Sequence, residues 1–129
     1  MDQPVIVLIA EDEEAIREVL KASFEDGGFT VVSARGGKEA IAAIDANRDV
    51  LRALVTDIRL GSDVTGWDVA RHGREINPDL PVIYITASDS HDWASLGVPN
   101  SVLIAKPFAP AQVLTAVSQL LNVGNTPGT

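Results

Sequence analysis

The sequence predicts an α/β fold, a doubly wound five-stranded parallel sheet of strand order 2-1-3-4-5 with helices on both faces and a short or irregular fourth helix. Three observations predict it. Short apolar runs alternate with helix-period segments five times along the chain. The runs are solid rather than alternating, as expected of parallel strands covered on both sides. The length, 129 residues with 46% apolar and 22% charged, suits one domain with a core of its own.

The elements follow in order. PVIVLIA (4–10) is the first strand, and EEAIREVLKASFEDGG (13–28) an amphipathic helix with Ile16, Val19, Leu20 and Phe24 on one face and Gly27-Gly28 as its stop. FTVVSA (29–34) is a shorter strand, followed by a helix through KEAIAAIDAN (38–47) with Ala40, Ile41 and Ile44 inward. LRALVTD (51–57) is the third strand and ends in Asp57; GWDVARHGREINP (66–78) is helical until Asn77-Pro78 closes it. LPVIYITAS (80–88) is the fourth strand, ending near Thr86, with Ser88 and Asp89 starting or capping the next turn. DSHDWASLGV (89–98) has room for only a short helix. NSVLIAKPF (100–108) is the fifth strand, running into Lys106-Pro107, and APAQVLTAVSQLLN (109–122) the closing helix, with Val113, Val117, Leu120 and Leu121 inward. The domain is expected over residues 1–123, with a flexible C-terminal tail over 124–129.

Composition removes several functions. The chain has no cysteine, so disulfides, thiolate metal sites and thiol catalysis are excluded. The N-terminal apolar run has no basic flank or cleavage-like site, and no segment reaches transmembrane length, so a cytoplasmic protein without membrane contact is expected. A net charge of −8 argues against direct nucleic-acid binding. After Arg74 the one cation in the sequence is Lys106.

In an open parallel sheet, ligands bind in the crevice beyond the carboxyl ends of the strands. The residues there are Glu11 and Asp12 on the first strand, Asp57 on the third, Thr86 on the fourth and Lys106 on the fifth. With strand order 2-1-3-4-5, Asp12 and Asp57 face each other across the switch point. Crowded carboxylates repel one another unless a cation joins them, and Mg²⁺ suits a site with few protein ligands and a phosphate oxygen. Asp57 can then attack a phosphorus centre, while Lys106 neutralises charge and Thr86 donates a hydrogen bond to the transferring group. Glu13 and Glu14 belong to the first helical turn, where negative charge complements the helix dipole.

Glu11-Asp12, Asp57, Thr86 and the KPF of 106–108, on five β/α units, resemble the receiver domain of bacterial response regulators, a flavodoxin-like fold, over roughly residues 4 to 122. The resemblance implies phosphorylation of Asp57 by a histidine kinase or histidine phosphotransfer protein. It implies a Mg²⁺ site in which Asp12 binds directly, Glu11 acts through water and the Arg59 backbone carbonyl is a ligand. Thr86 and Lys106 would bind the phosphoryl oxygens, and Thr86 would move inward on phosphorylation. A stand-alone receiver is expected, acting through an unknown downstream protein, as a monomer or weak homodimer.

The sequence also departs from the family. Glu11 stands where Asp is commoner. The loop IRLGSDVTGW (58–67) has Gly61 where Pro is usual and about one extra residue before Gly66. Leu103 stands where many members carry the Tyr or Phe that rotates with the Thr. The fourth helix is Pro-broken.

Other functions fit less well. A phosphohydrolase resembling the haloacid dehalogenase group wants a second Asp two residues after the nucleophile, where this chain has Arg59. A flavin binder needs a phosphate loop where EDEE would repel phosphate. The alternative kept is a receiver-like docking module that is never phosphorylated. His72 and His91 have no ligand partner at metal spacing, and Trp67 and Trp93 read as packing residues, Trp93 with scope as a docking contact.

Overall fold

The computed structural model describes residues 4–87 and 90–124. Strands β1 (Ile6–Ala10), β2 (Thr30–Ala34), β3 (Leu51–Asp57), β4 (Val82–Thr86) and β5 (Val102–Ala105) form one parallel sheet in the order β2-β1-β3-β4-β5, as the sequence predicts. The solid apolar strands have their predicted cause. On β1, Leu8 and Ala10 enter the core on one face, with Leu54, Val82 and Tyr84, while Val7 and Ile9 enter the other, with Ala53, Val55, Ile83 and Ile85. Alternate residues point to opposite faces, and both faces are covered. Truncating a fully buried residue such as Leu54 or Ile83 to Ala costs about 2–5 kcal/mol.

The helices divide between the faces. Helices α2 (Gly37–Ala46) and α3 (Gly66–Ile76) cover the first core with Ala40, Ile44, Val69 and Ala70. Helices α1 (Glu14–Asp26) and α5 (Pro110–Gly124) cover the second with Leu20, Phe24, Val113 and Val117. Two residues past the end of α1, Gly28 has a φ of +93°, in the left-handed region that favours glycine. Helix α3 starts with a capping box: the Thr65 hydroxyl accepts from the Asp68 amide at 3.3 Å, and the Asp68 carboxylate accepts from the Thr65 amide at 2.9 Å.

One inward placement needs correction. Val19 is 52% exposed, on the open groove it shares with Phe108 and Pro110 rather than under a covering element. Leu120 and Leu121 point inward as expected, half-buried against the second core. His72 is half-buried, with its Nε2 2.7 Å from Asp45 Oδ1, bridging α3 to α2.

The region after β4 is short, as expected: a 3₁₀ turn (Ser90–Asp92) and a four-residue α4 (Trp93–Leu96). The Trp93 indole lies so close over Gly97 that a Cβ there would collide with it. Its Nε1 donates to Ser101 Oγ at 2.8 Å, so Trp93 packs, although it is partly exposed. Trp67 is a core residue with its ring 4.7 Å from that of Tyr84. The expected turn at Ser88-Asp89 and, beyond Gly124, the expected tail lie outside the described residues.

Candidate functional site

Four strand ends converge on one cleft. Asp12, Glu13, Asp57, Arg59, Thr86, Ala87 and Lys106 line a pocket of about 200 Å³ at the carboxyl edge of the sheet. Registers set the convergence: Asp57 pairs with Ile85 and Thr86 with Ala105, so the last residues of β3 and β4 and the first after β5 lie side by side. The Lys106 amide donates to the Thr86 carbonyl at 2.7 Å, and the Lys106-Pro107 peptide is cis.

Asp57 is held on both oxygens. Its Oδ2 accepts from Lys106 Nζ at 2.7 Å and its Oδ1 from the Arg59 amide at 3.1 Å. Gly66 closes the cleft from behind: a Cβ there would run into the Asp57 carbonyl oxygen. At Gly37 a side chain would strike Val64, so the loop after Asp57 packs down on the start of α2.

Glu11 lies deeper than a residue at the mouth of a strand would. It is fully buried, with Oε2 accepting from the Glu13 amide at 2.9 Å. Its Oε1 is buried and accepts no well-directed hydrogen bond, while Lys106 Nζ stands 3.1 Å away as an ion pair. Burial pushes the Glu11 carboxyl up to about 7; the Asp57 charge adds to the rise, and the Glu13 amide and Lys106 oppose it. Burial pulls the Lys106 ammonium down, but its hydrogen bond to Asp57 and the close contacts with the Asp57 and Glu11 charges outweigh that and hold it above the usual lysine range.

Oxygens of Glu11, Asp12 and Asp57 lie within 4.8 Å of one another. These are hard anionic donors of the kind Mg²⁺ selects. A buried carboxylate oxygen without a hydrogen bond, on a carboxyl group pushed upward chiefly by burial and further by the Asp57 charge, fits a site completed by a cation.

Every residue singled out from the sequence, Glu11, Asp12, Asp57, Arg59, Thr86 and Lys106, is therefore in or against this one cleft. Two contributions were not foreseen. Glu13, expected only to favour the helix dipole, stands just before α1, gives its amide to Glu11 and reaches Lys106 Nζ at 3.4 Å. Arg17, given no role from the sequence, donates from Nη1 to the Glu11 carbonyl at 2.9 Å. No motif spacing announces such a bond, since it depends on how the loop between β1 and α1 turns.

Comparison with known proteins agrees with the fold. Residues 7–118 match the family model described as the response regulator receiver domain. The curated response regulator SaeR of Staphylococcus aureus (strain USA300) is 31% identical over 117 residues, covering 89% of this chain and 50% of that protein. The chain thus spans about half the length of the curated relatives it matches. A crystal structure of a response regulator receiver protein from Sinorhizobium medicae WSM419 has a TM-score of 0.89 at 41% identity, covering 93% of this chain and 96% of that one. A CheY-like receiver domain protein from Methanospirillum hungatei JF-1 has the same fold, with a TM-score of 0.83 at 23% identity over 98% of this chain and 100% of that one.

Proposed function

The chain belongs to the response regulator receiver domain family, and on that premise we propose that it is a Mg²⁺-dependent phosphoacceptor switch phosphorylated on Asp57. The observation that carries the reading is the pairing of Asp57 with Lys106 at 2.7 Å inside a cleft that also gathers Glu11 and Asp12.

In the proposed reaction an Asp57 oxygen attacks the phosphorus of a donor phosphohistidine. The new O–P bond forms as the P–N bond breaks, and the imidazole leaves with the electron pair and takes a proton from solvent. Lys106, held protonated by its acidic neighbours, keeps the Asp57 carboxylate aimed, and Nζ is placed to follow charge onto a phosphoryl oxygen. The Arg59 amide fixes Oδ1, and Thr86 on the pocket wall supplies a hydroxyl for another phosphoryl oxygen. Glu11, Asp12, Asp57 and the Arg59 carbonyl would hold the Mg²⁺. Bound there, the ion would supply charge neutralisation to the crowded acids and the phosphoryl oxygens.

An apolar groove supports a protein phosphodonor. Ala15, Ile16, Val19, Pro107, Phe108 and Pro110 line about 510 Å³ beside the cleft, and Glu13 and Lys106 border both. A histidine kinase or histidine phosphotransfer protein docking an apolar face there would bring its phosphohistidine to Asp57. Among the described residues no helix is long and apolar enough to cross a membrane. The reading places the protein in the cytoplasm, passing the signal to a downstream protein rather than to nucleic acid, as a monomer or weak homodimer.

Incubation with acetyl phosphate tests the reading by intact mass. A Mg²⁺-dependent gain of one phosphoryl group, absent from Asp57→Asn, is expected. If no gain occurs, also with a kinase present, the unphosphorylated docking module takes its place.

A further inference from the structure

Arg17 is a cation where cations are costly. It is 7% exposed on α1, although arginine ordinarily keeps its guanidinium in water. The guanidinium donates from Nη1 to the Glu11 carbonyl at 2.9 Å. That carbonyl lies just past the end of β1, where no sheet ladder reaches it, so its hydrogen bond must come from a side chain or water. A peptide unit is rigid and planar, so the Glu11 carbonyl and the Asp12 amide move as one body. Holding the carbonyl fixes the direction in which the chain delivers Asp12. Glu11 is anchored on its other sides as well, by its amide to the Ala34 carbonyl at 3.0 Å and by Oε2 to the Glu13 amide at 2.9 Å. Asp12 is exposed, and its placement depends on that peptide plane.

We propose that Arg17 is a positioning residue for the divalent-cation site, holding the Glu11–Asp12 peptide so that the Asp12 carboxylate is preset against those of Glu11 and Asp57. The inference rests on the cation reading of the cleft. Groups that orient metal ligands from behind commonly change affinity by 10- to 100-fold when removed. Arg17→Met keeps most of the side chain's bulk and loses the donor. Arg17→Lys keeps the charge on one donor nitrogen and loses the guanidinium fork.

The probe is Mg²⁺ alone, titrated calorimetrically into wild type, Arg17→Met and Arg17→Lys, with melting temperatures taken with and without the ion. Arg17→Met should weaken Mg²⁺ binding by about 10-fold or more, with Arg17→Lys between it and wild type, and the Mg²⁺-induced rise in melting temperature should shrink in the same order. A merely structural arginine would lower both melting temperatures equally and leave the increment intact; that result, or unchanged Mg²⁺ affinity in Arg17→Met, overturns the inference alone. Failure of the wild type to bind Mg²⁺ overturns the cation reading and the inference together. Should Arg17→Met not fold, the wild type decides. Its Arg17 guanidinium NMR resonance should shift saturably with Mg²⁺ at the same midpoint as the Asp12 amide, and a resonance that stays still is contrary to the proposal.

Discussion

At the scale of single residues, the cleft is a balance of three buried or half-buried charges, and Lys106 holds it. The ammonium stands 2.7 Å from Asp57 and 3.1 Å from Glu11. Removing it leaves two acids facing each other, so Lys106→Met should cost the metal-free protein about 1–3 kcal/mol in denaturant unfolding. An unchanged midpoint would mean that the pair contributes nothing. Glu11 sets a pH dependence of uncommon sign for a carboxyl. Its folded value, raised from 4.5 to about 7, exceeds the unfolded one, so its contribution is fully present below the unfolded value and is lost as pH rises through about 7. In chelator, stability from this group should fall between about pH 4.5 and 7, and Glu11→Gln should flatten the profile there; equal slopes in both proteins would refute the assignment. Five of the candidate site residues were legible because each ends a strand or follows one, and Arg59 only through the family resemblance. Arg17 and the second role of Glu13 were not, because their bonds depend on a loop conformation that no periodicity encodes.

At the scale of elements, close approaches fix the cleft as firmly as its charges do. Helix α3 starts directly behind Asp57, where Gly66 admits no side chain. Gly66→Ala should therefore displace the Asp57 backbone or α3, costing about 1–3 kcal/mol and slowing acetyl-phosphate labelling. Thr65→Ala, which removes only the cap, should cost about 1 kcal/mol with labelling largely kept. If both variants lose labelling equally, the contact is not what aims Asp57. Element type followed from the sequence almost throughout, because buried parallel strands and amphipathic helices carry different periods. The short α4 was legible in the Pro99 that follows it. Val19 was misplaced because a helical stripe shows which face is apolar, but not which part of that face a neighbour covers. Here it borders the groove beside Phe108 and Pro110.

At the scale of the whole molecule, a net charge of −8 concentrates at one edge of the sheet three acids whose oxygens lie within 4.8 Å of one another. Self-repulsion of this kind is screened by salt, so the metal-free protein should melt higher in about 0.15 M salt than in about 0.01 M. A flat dependence would show that the net charge is not a stability term. Strand order was legible only through the placement of chemistry: order 2-1-3-4-5 is the arrangement that brings Asp12, Asp57, Thr86 and Lys106 to one crevice, and the sheet has it. The central claim is that Asp57 receives the phosphoryl group. The most direct test is to label the protein with acetyl phosphate and Mg²⁺, reduce the acyl phosphate with borohydride and locate the reduced residue by peptide sequencing. Reduction at position 57 alone is the predicted result; reduction at Asp12, Glu13 or another carboxylate with Asp57 intact would contradict it.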